Sequence, residues 1–313
     1  FIAQARGRAA KGASLEEAIT GDPRWASMSA RERRVLRHVV NSTVEHEYSG
    51  DWREASAKYY DAGEEFSGDD VLFRGGFGQV AAVLAKGLAV RLGQTVRQIE
   101  PARAGVRLSL SSGQTFEADH AVIAVPLGVL QAGRIGFSEP LRRERQDAIA
   151  ALRMGLLNKC WLRFDRVAWP SGVDWIEWLG PRDGYWAEWV SLAPSLKIPL
   201  LVGFNAGDQA RAVEALSDRD TVADAHAALK AIFGSSFPPP IAAQTTRWSK
   251  DPLTLGAYSF NAVGSRPGMR AALSGMDWDV RLAFAGEAAS ADYFGTAHGA
   301  YLSGVEAAEA IGG

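Results

Sequence analysis

The chain has 313 residues, 47% hydrophobic and 22% charged, with a net charge of -2; this is a globular balance with room for two domains, and it excludes a global positive field for holding nucleic acid. Its longest apolar stretch, 121–130, contains Pro126 and is too short to cross a bilayer, and no secretory signal pattern opens the chain. Cys160 is the only cysteine, which excludes an internal disulfide and, with no membrane signal, points to a reducing, cytoplasmic setting.

Residues 1–66 read as mostly helical. Ser14 with Glu17 and Ser29 with Glu32 are capping boxes, and Val35, Leu36, Val39 and Val40 mark the apolar face of the second helix. After Gly78, the spacing of Val80, Val83, Leu84 and Leu88 predicts another helix. Val96 and Ile99, the alternation Val106, Leu108, Leu110 and the turn at 111–113 predict a β-meander. The continuous apolar run 121–125 predicts a strand buried on both faces. A helix is expected over 141–152, then strands over 158–164, near 174–179 and 185–192, and over 199–205. Ser217 caps a helix that stops at Gly234. In the 158–164 strand, Cys160, Leu162 and Phe164 share one face and Lys159, Trp161 and Arg163 the other. Tryptophans crowd residues 161–189 and serve either a substrate channel or a core. The end of the chain reads as a strand over 281–285, a turn, and a helix from about Thr296 to Ile311. That helix carries Gly299 and Gly304, each costing roughly 1 kcal/mol against alanine, so something must approach it closely. Ala297, Ala300, Gly304 and Ala308 are expected to form its contact stripe.

Gly76-Phe-Gly-Gln-Val-Ala81 fits the G-x-G-x-x-A spacing of a dinucleotide site. The segment before it, Val71-Leu-Phe73 between Asp69-Asp70 and Arg74, is too short and too charged to be the buried strand such a site requires. The glycines are therefore read as a turn that starts a packing helix.

Five stretches, in order, resemble the flavin-dependent amine oxidases: the polyamine oxidases, monoamine oxidases and lysine-specific histone demethylases. They are "DDVLFRGGFGQVAAVLAKGL" (69–88), "ADHAVIAVPLGVL" (118–130), "GLLNKCWLRFD" (155–165), "TRWSKDPLTLGAYSF" (246–260) and "FAGEAASADYFGTAHGAYLSG" (284–304). The resemblance implies an α/β fold with an α+β substrate domain, two domains interleaved along the chain. Residues 1–68 are then the helical part of the substrate domain and 69–126 the middle part of the FAD-binding domain. Residues 127–275 are the rest of the substrate domain, and 276–313 the last part of the FAD-binding domain.

It also implies an activity: FAD-dependent oxidation of a polyamine or related alkyl amine. Hydride passes to flavin N5, the imine hydrolyses, and dioxygen reoxidises the flavin to give hydrogen peroxide. By position, Lys159 is the catalytic lysine that holds a water near N5. Val96 meets the adenine through its backbone. Gly286 and Glu287 approach the cofactor, Glu287 accepting from a ribityl or ribose hydroxyl. Thr296 and Ala297 present the electropositive start of the final helix to the flavin ring. Trp248 is either an aromatic beside the flavin or a core residue. Tyr258 is one wall of the substrate cage. Thr296 stands at the other wall, where plant polyamine oxidases carry a second tyrosine, so the cage is half open. Glu45, Glu47, Glu177 and Glu188 are candidate anchors for a distal ammonium, or solvated acids. No metal site is expected.

The family's amino-terminal βαβ unit and its phosphate-binding glycines are not in this sequence. The chain therefore looks like the carboxy-terminal two-thirds of an oxidase, holds FAD poorly by itself, and pairs with a separate amino-terminal chain or belongs to a longer protein. Two rivals remain open. One is an amino-acid oxidase of the same fold, with Arg163 or Arg247 clamping a carboxylate. The other is a non-catalytic subunit that keeps the fold alone.

Overall fold

Both capping boxes form. In the computed structural model, which describes residues 1–64, 66–68 and 71–312, Ser14 and Glu17 exchange hydrogen bonds at the start of the helix Leu15–Thr20. Ser29 and Glu32 do the same for Ala30–Val40. The buried side of the second helix is narrower than expected. Leu36 and Val40 pack with Val44, whereas Val35 and Val39 are exposed. Residues four apart stay on one side of a helix, so 36, 40 and 44 remain together while 35 and 39 turn to the flank. The helix then widens into a π-helical turn, Asn41–Glu45, and a last turn, His46–Tyr48.

The helix Gly78–Leu84 starts at its glycine turn but buries no residue, and residues 71–73 form no strand. A dinucleotide fingerprint therefore lacks its strand here. Asp69 and Asp70, which open this stretch, lie outside the described residues.

Strands β1 (Val96–Pro101), β2 (Val106–Leu110) and β3 (Thr115–Ala118) make the expected antiparallel meander. β4 (Ala121–Ile123) follows, and it is not buried on both faces, for Val122 is exposed. Ala121 and Ile123 turn to the covered face and Val122 to the other, and β4 lies at the edge of its sheet among the described residues. β5 (Gly136–Phe137) runs parallel to β1, so the meander sheet continues past the boundary expected at 126.

Next come β6 (Arg153–Met154), β7 (Leu157–Arg163), β8 (Trp175–Glu177), β9 (Glu188–Ser191), β10 (Leu200–Ala206) and β11 (Ala242–Thr245). Five of them form an antiparallel sheet in the order β11-β7-β10-β9-β8. The alternation predicted for β7 is present. Cys160, Leu162 and Phe164 are buried with Trp186, Trp189 and Leu201 against the helix Asp218–Phe233, which Ser217 caps and Gly234 ends. The tryptophans divide: Trp169, Trp186 and Trp189 fill this core, while Trp175 is exposed on the opposite face.

β12 (Ser259–Phe260) pairs with β6. β13 (Gly275–Asp277) and β14 (Leu282–Phe284) complete a three-stranded sheet with β4, in which β14 and β4 are parallel. The final helix, Ala297–Gly312, buries Gly299, Ser303 and Ala307. The contact stripe thus lies beside the one expected: Ala300 and Gly304 are half-buried, and Ala297 and Ala308 are exposed. Two contacts set this rotation. Ser303 Oγ accepts from Gly286 N at 2.9 Å, which ties the helix to the end of β14. A Cβ on Gly299 would stand 1.9 Å from the carbonyl oxygen of Tyr293. Gly299 is the close approach; nothing lies within 4 Å of a Cβ at Gly304. Among the described residues no helix is long and apolar enough to cross a membrane.

Candidate functional site

Strand register builds one side of the site. Phe204 stands opposite Lys159 on one neighbour and Glu188 on the other, and Glu188 stands opposite Glu177. Residues directly opposed in an antiparallel pair share a face. The row Lys159, Phe204, Glu188, Glu177 therefore lies on the face turned away from the tryptophan core. Lys159 is half-buried and has no ion pair among the described residues. Its Nζ lies 5.9 Å from the centroid of the Phe204 ring. Burial, uncompensated by any carboxylate, pulls its pKa below the ordinary lysine value. The strand is fixed from behind: Thr246 Oγ1 accepts from Lys159 N at 2.8 Å and donates to Asn158 Oδ1 at 2.9 Å.

The turn that follows the π-helix closes over this row. The His46 ring lies 6.1 Å from the Phe204 ring, and its Nδ1 is 2.6 Å from Glu188 Oε2. Burial opposes the charge on Glu188, but hydrogen bonds from His46 and Ser42 win and leave its carboxyl below the usual range. The His46 carbonyl accepts from Tyr258 Oη at 2.6 Å. Burial, aided by the charge of Glu47, raises the pKa of that phenol, so Tyr258 is a neutral donor. Tyr258 in turn borders the final helix: its ring carbon Cδ2 lies 3.2 Å from where a Cβ on Gly295 would stand. Thr296 caps that helix as expected, accepting from Gly299 N at 2.9 Å and donating to Tyr293 O at 2.7 Å. Tyr258 and Thr296 are thus neighbours, and Tyr258 reaches Lys159 through His46 and Phe204. Ala297 opens the helix, exposed, with its N–H outside the intrahelical ladder.

A second feature lies at the carboxyl ends of the parallel strands β4 and β14, where ligands enter open α/β sheets. A cavity of about 180 Å³ is lined there by Ala124, Val125, Pro126, Gly286, Glu287 and Ala300. Gly286 has φ +113°, which favours glycine. Glu287 Oε1 accepts from Ser259 N at 3.0 Å, and Oε2 accepts from Ser259 Oγ at 2.7 Å and Gly295 N at 2.8 Å. Three donors on a carboxylate with about four acceptor positions leave room for one hydroxyl. Behind it, buried Arg270 donates to Ser259 Oγ, Asn261 Oδ1 and the carbonyl of Ala288. Burial lowers the Arg270 pKa, and Glu287 works against that shift. A larger depression of about 490 Å³, lined by Arg91, Gln94 and residues 113–116, is an open hollow on the meander with no convergent reactive groups.

The remaining expected residues lie apart. Val96 starts β1, half-buried against the meander core, and does not line the cavity at Gly286. Trp248 lies outside the strands. It opens a short 3₁₀ turn, half-buried, and its carbonyl accepts from Gly256 N and Thr254 Oγ1. Glu45 is no solvated acid: it is buried, accepting from Asn41 Nδ2 and Trp52 N. Glu177 pairs with His38 at the surface. Arg247 is committed to Asp218, while Arg163 is exposed on the Lys159 side of β7. His46, Phe204 and Ser303 were not singled out in the sequence. Only the π-helical turn before His46 hints at it, since such turns recur at functional sites, and no spacing in the sequence marks that turn.

A family model for flavin containing amine oxidoreductases matches residues 28–312. The chain is 37% identical over 265 residues to polyamine oxidase 2 of Arabidopsis thaliana, covering 84% of this chain and 53% of that protein. It is 33% identical over 322 residues to lysine-specific histone demethylase 1 homolog 2 of Oryza sativa subsp. japonica, covering 97% of this chain and 41% of that protein. The chain thus spans about half the length of the curated relatives it matches. Among solved structures, wild-type putrescine oxidase bound to putrescine superposes with a TM-score of 0.72 at 20% identity, covering 88% of this chain and 64% of that one. A triple mutant of putrescine oxidase gives 0.75 at 19% identity, covering 96% and 68%. At those identities the likeness is one of fold.

Proposed function

Because the chain belongs to the flavin-containing amine oxidoreductase family, we propose that it forms the substrate face and the flavin-facing helix of an FAD-dependent amine oxidase. Its substrate is a polyamine or related alkyl amine. The observation that carries this is Lys159: a half-buried ammonium without a counter-ion among the described residues, on the sheet face that His46 and Tyr258 close.

The residues present fit the ring end of the cofactor. The cavity at Gly286, the spare acceptor position on Glu287 and the capped start of the final helix would hold its ribityl chain and pyrimidine edge. Trp248 and the backbone of Val96 would meet its ring and its adenine. For the pyrophosphate nothing fits among the described residues, since the glycines at 76–78 follow no strand. That part falls to a dinucleotide-binding unit, and the uncovered apolar side chains of Val71, Leu72, Val83, Leu88 and Leu92 are the surface it would cover. When bound, FAD supplies the two-electron acceptor that takes hydride from the carbon beside the amine and delivers the electrons to dioxygen. This chain's own residues do the rest. Tyr258, held by the His46 carbonyl, presents an aromatic face to the amine, where cations and N–H groups are favoured. Thr296 leaves the opposite side open to a bulkier or secondary amine. Lys159 holds a water by hydrogen bonding and, as an uncompensated cation, favours negative charge arriving beside it.

The test is a native preparation whose intact mass, visible spectrum and peroxide yield with a panel of amines and amino acids are measured together. A flavin spectrum with peroxide from polyamines supports the reading. Peroxide from amino acids alone would move the assignment to Arg163, which stands exposed on the same side of β7. Tight one-to-one FAD on these residues alone would refute the need for a second unit.

A further inference from the structure

Glu188 is enclosed, its side chain 1% exposed, with Oε2 2.6 Å from His46 Nδ1. The other imidazole nitrogen, Nε2, is buried and meets no partner among the described residues. A buried polar atom left without a partner costs about 1–3 kcal/mol. The chain therefore folds around an imidazole with one nitrogen gripped and the other spare. A carboxylate can only accept, so in the neutral imidazole the proton sits on Nδ1 and the lone pair on Nε2. A carboxylate orienting a histidine whose far nitrogen is free is the arrangement of a positioned base. It belongs to the site already described: the ring neighbours Phe204, which Lys159 flanks from the other side, and the carbonyl of the same residue holds Tyr258.

We propose that His46, oriented by Glu188, is the catalytic base that takes a proton from the incoming substrate ammonium; this rests on the amine-oxidation reading. An alkyl amine with a pKa near that of lysine, about 10.4, arrives protonated at neutral pH. Its nitrogen then has no lone pair to support positive charge at the neighbouring carbon. In the step, one N–H bond of the ammonium breaks and its electron pair stays on nitrogen. The proton forms a bond to Nε2, leaving a neutral amine and an imidazolium whose charge Glu188 balances. Nothing is oxidised or reduced. Of the other charges, His38 acts on Glu188 and is paired with Glu177, Glu47 acts on Tyr258, and Lys159 stands across the Phe204 ring from the pair. Glu188 is a positioning residue in this scheme, since it acts through His46.

The experiment uses the full-length, FAD-loaded enzyme with putrescine and spermine as probes. Anaerobic reduction of the flavin is followed against pH in the wild type, His46→Gln and Glu188→Gln. In parallel, ¹⁵N-histidine spectra record the tautomer of His46 and the response of its Nε2 to added putrescine. The proposal expects an acidic limb in the wild type and a loss of about 10²-fold or more in His46→Gln with binding retained. Glu188→Gln should move the limb to lower pH, because an anion that favours the imidazolium is gone. The spectra should show the Nδ1–H tautomer and an Nε2 signal that moves with putrescine. If the wild type reduces its flavin and His46→Gln does so equally with the same pH profile, amine oxidation stands and the base assignment falls. If no amine reduces the wild type, both fall. Should His46→Gln not fold, an unmoved limb in Glu188→Gln with an unmoved Nε2 signal overturns the proposal.

Discussion

Gly299 and Gly304 invite the same substitution with opposite results. Both lie inside the final helix, where alanine is favoured over glycine by about 1 kcal/mol. At Gly304 nothing lies within 4 Å of the added methyl, so Gly304→Ala is expected to gain up to that amount. At Gly299 the methyl meets the Tyr293 carbonyl oxygen at 1.9 Å and its carbon at 2.8 Å. Backbone rather than a flexible side chain must give way. Overpacking of this kind costs about 1–3 kcal/mol, and displacing residue 293 also disturbs the Thr296 cap, worth about 1 kcal/mol. The helix-propensity gain offsets part of this, leaving Gly299→Ala about 1–3 kcal/mol less stable than the parent. Urea unfolding followed by far-UV circular dichroism, with equal slopes in all three proteins, gives the difference from the midpoints. Equal midpoints for the two variants would refute the claim that Gly299 marks the close approach of the helix.

Lys159→Met is expected to leave the urea midpoint unchanged or slightly higher, since an uncompensated charge leaves a half-buried place, while amine turnover in the complete flavoenzyme falls by roughly 10²-fold; peroxide assays beside the unfolding curve check both. Ser303→Ala strands the N–H of Gly286 and should cost about 1–3 kcal/mol, with faster amide exchange at Gly286 than in the parent. Burial pushes the Cys160 thiol up to about 12, so iodoacetamide should leave the native chain unmodified at pH 8 and label it only in denaturant. Asp51 and Glu188 are buried; burial opposes their ionisation, but hydrogen bonds from Arg53 and His46 hold both pKa values below the ordinary range. Their folded values lie below the unfolded ones, so their contribution is complete above about pH 4–5 and is lost as pH falls through the folded values. The urea midpoint should drop on acidification below pH 4, and less steeply in Glu188→Gln.

Local signals were legible wherever a few neighbouring side chains decide the outcome. Ser14, Ser29, Ser217 and Thr296 cap their helices because a short polar side chain beside an N-terminus has little else to do. The alternation through Lys159 and Cys160 was readable because a strand offers two faces. What could not be read were relations set by distant partners. The stripe on the final helix is shifted because Ser303 reaches Gly286, 17 residues away in sequence. β4 looked doubly buried because its composition is apolar, yet its placement at a sheet edge is a property of the assembly. His46 escaped notice because its meaning comes from Glu188, 142 residues further on. The acids on either side of it, Glu45 and Glu47, drew attention for their charge alone.

The register of β7, β10 and β9 has a bearing on how such a protein changes its diet. Trp189, Leu201 and Cys160 anchor the sheet to its helix, while Glu188, Phe204 and Lys159 look the other way from the same three strands. On the function proposed above, substitutions at Lys159 and Phe204 would change the face offered to a substrate while the residues of the opposite face keep the core. A single backbone thus offers a ready route to new appetites, provided nothing slides the strands by one residue and exchanges the two populations.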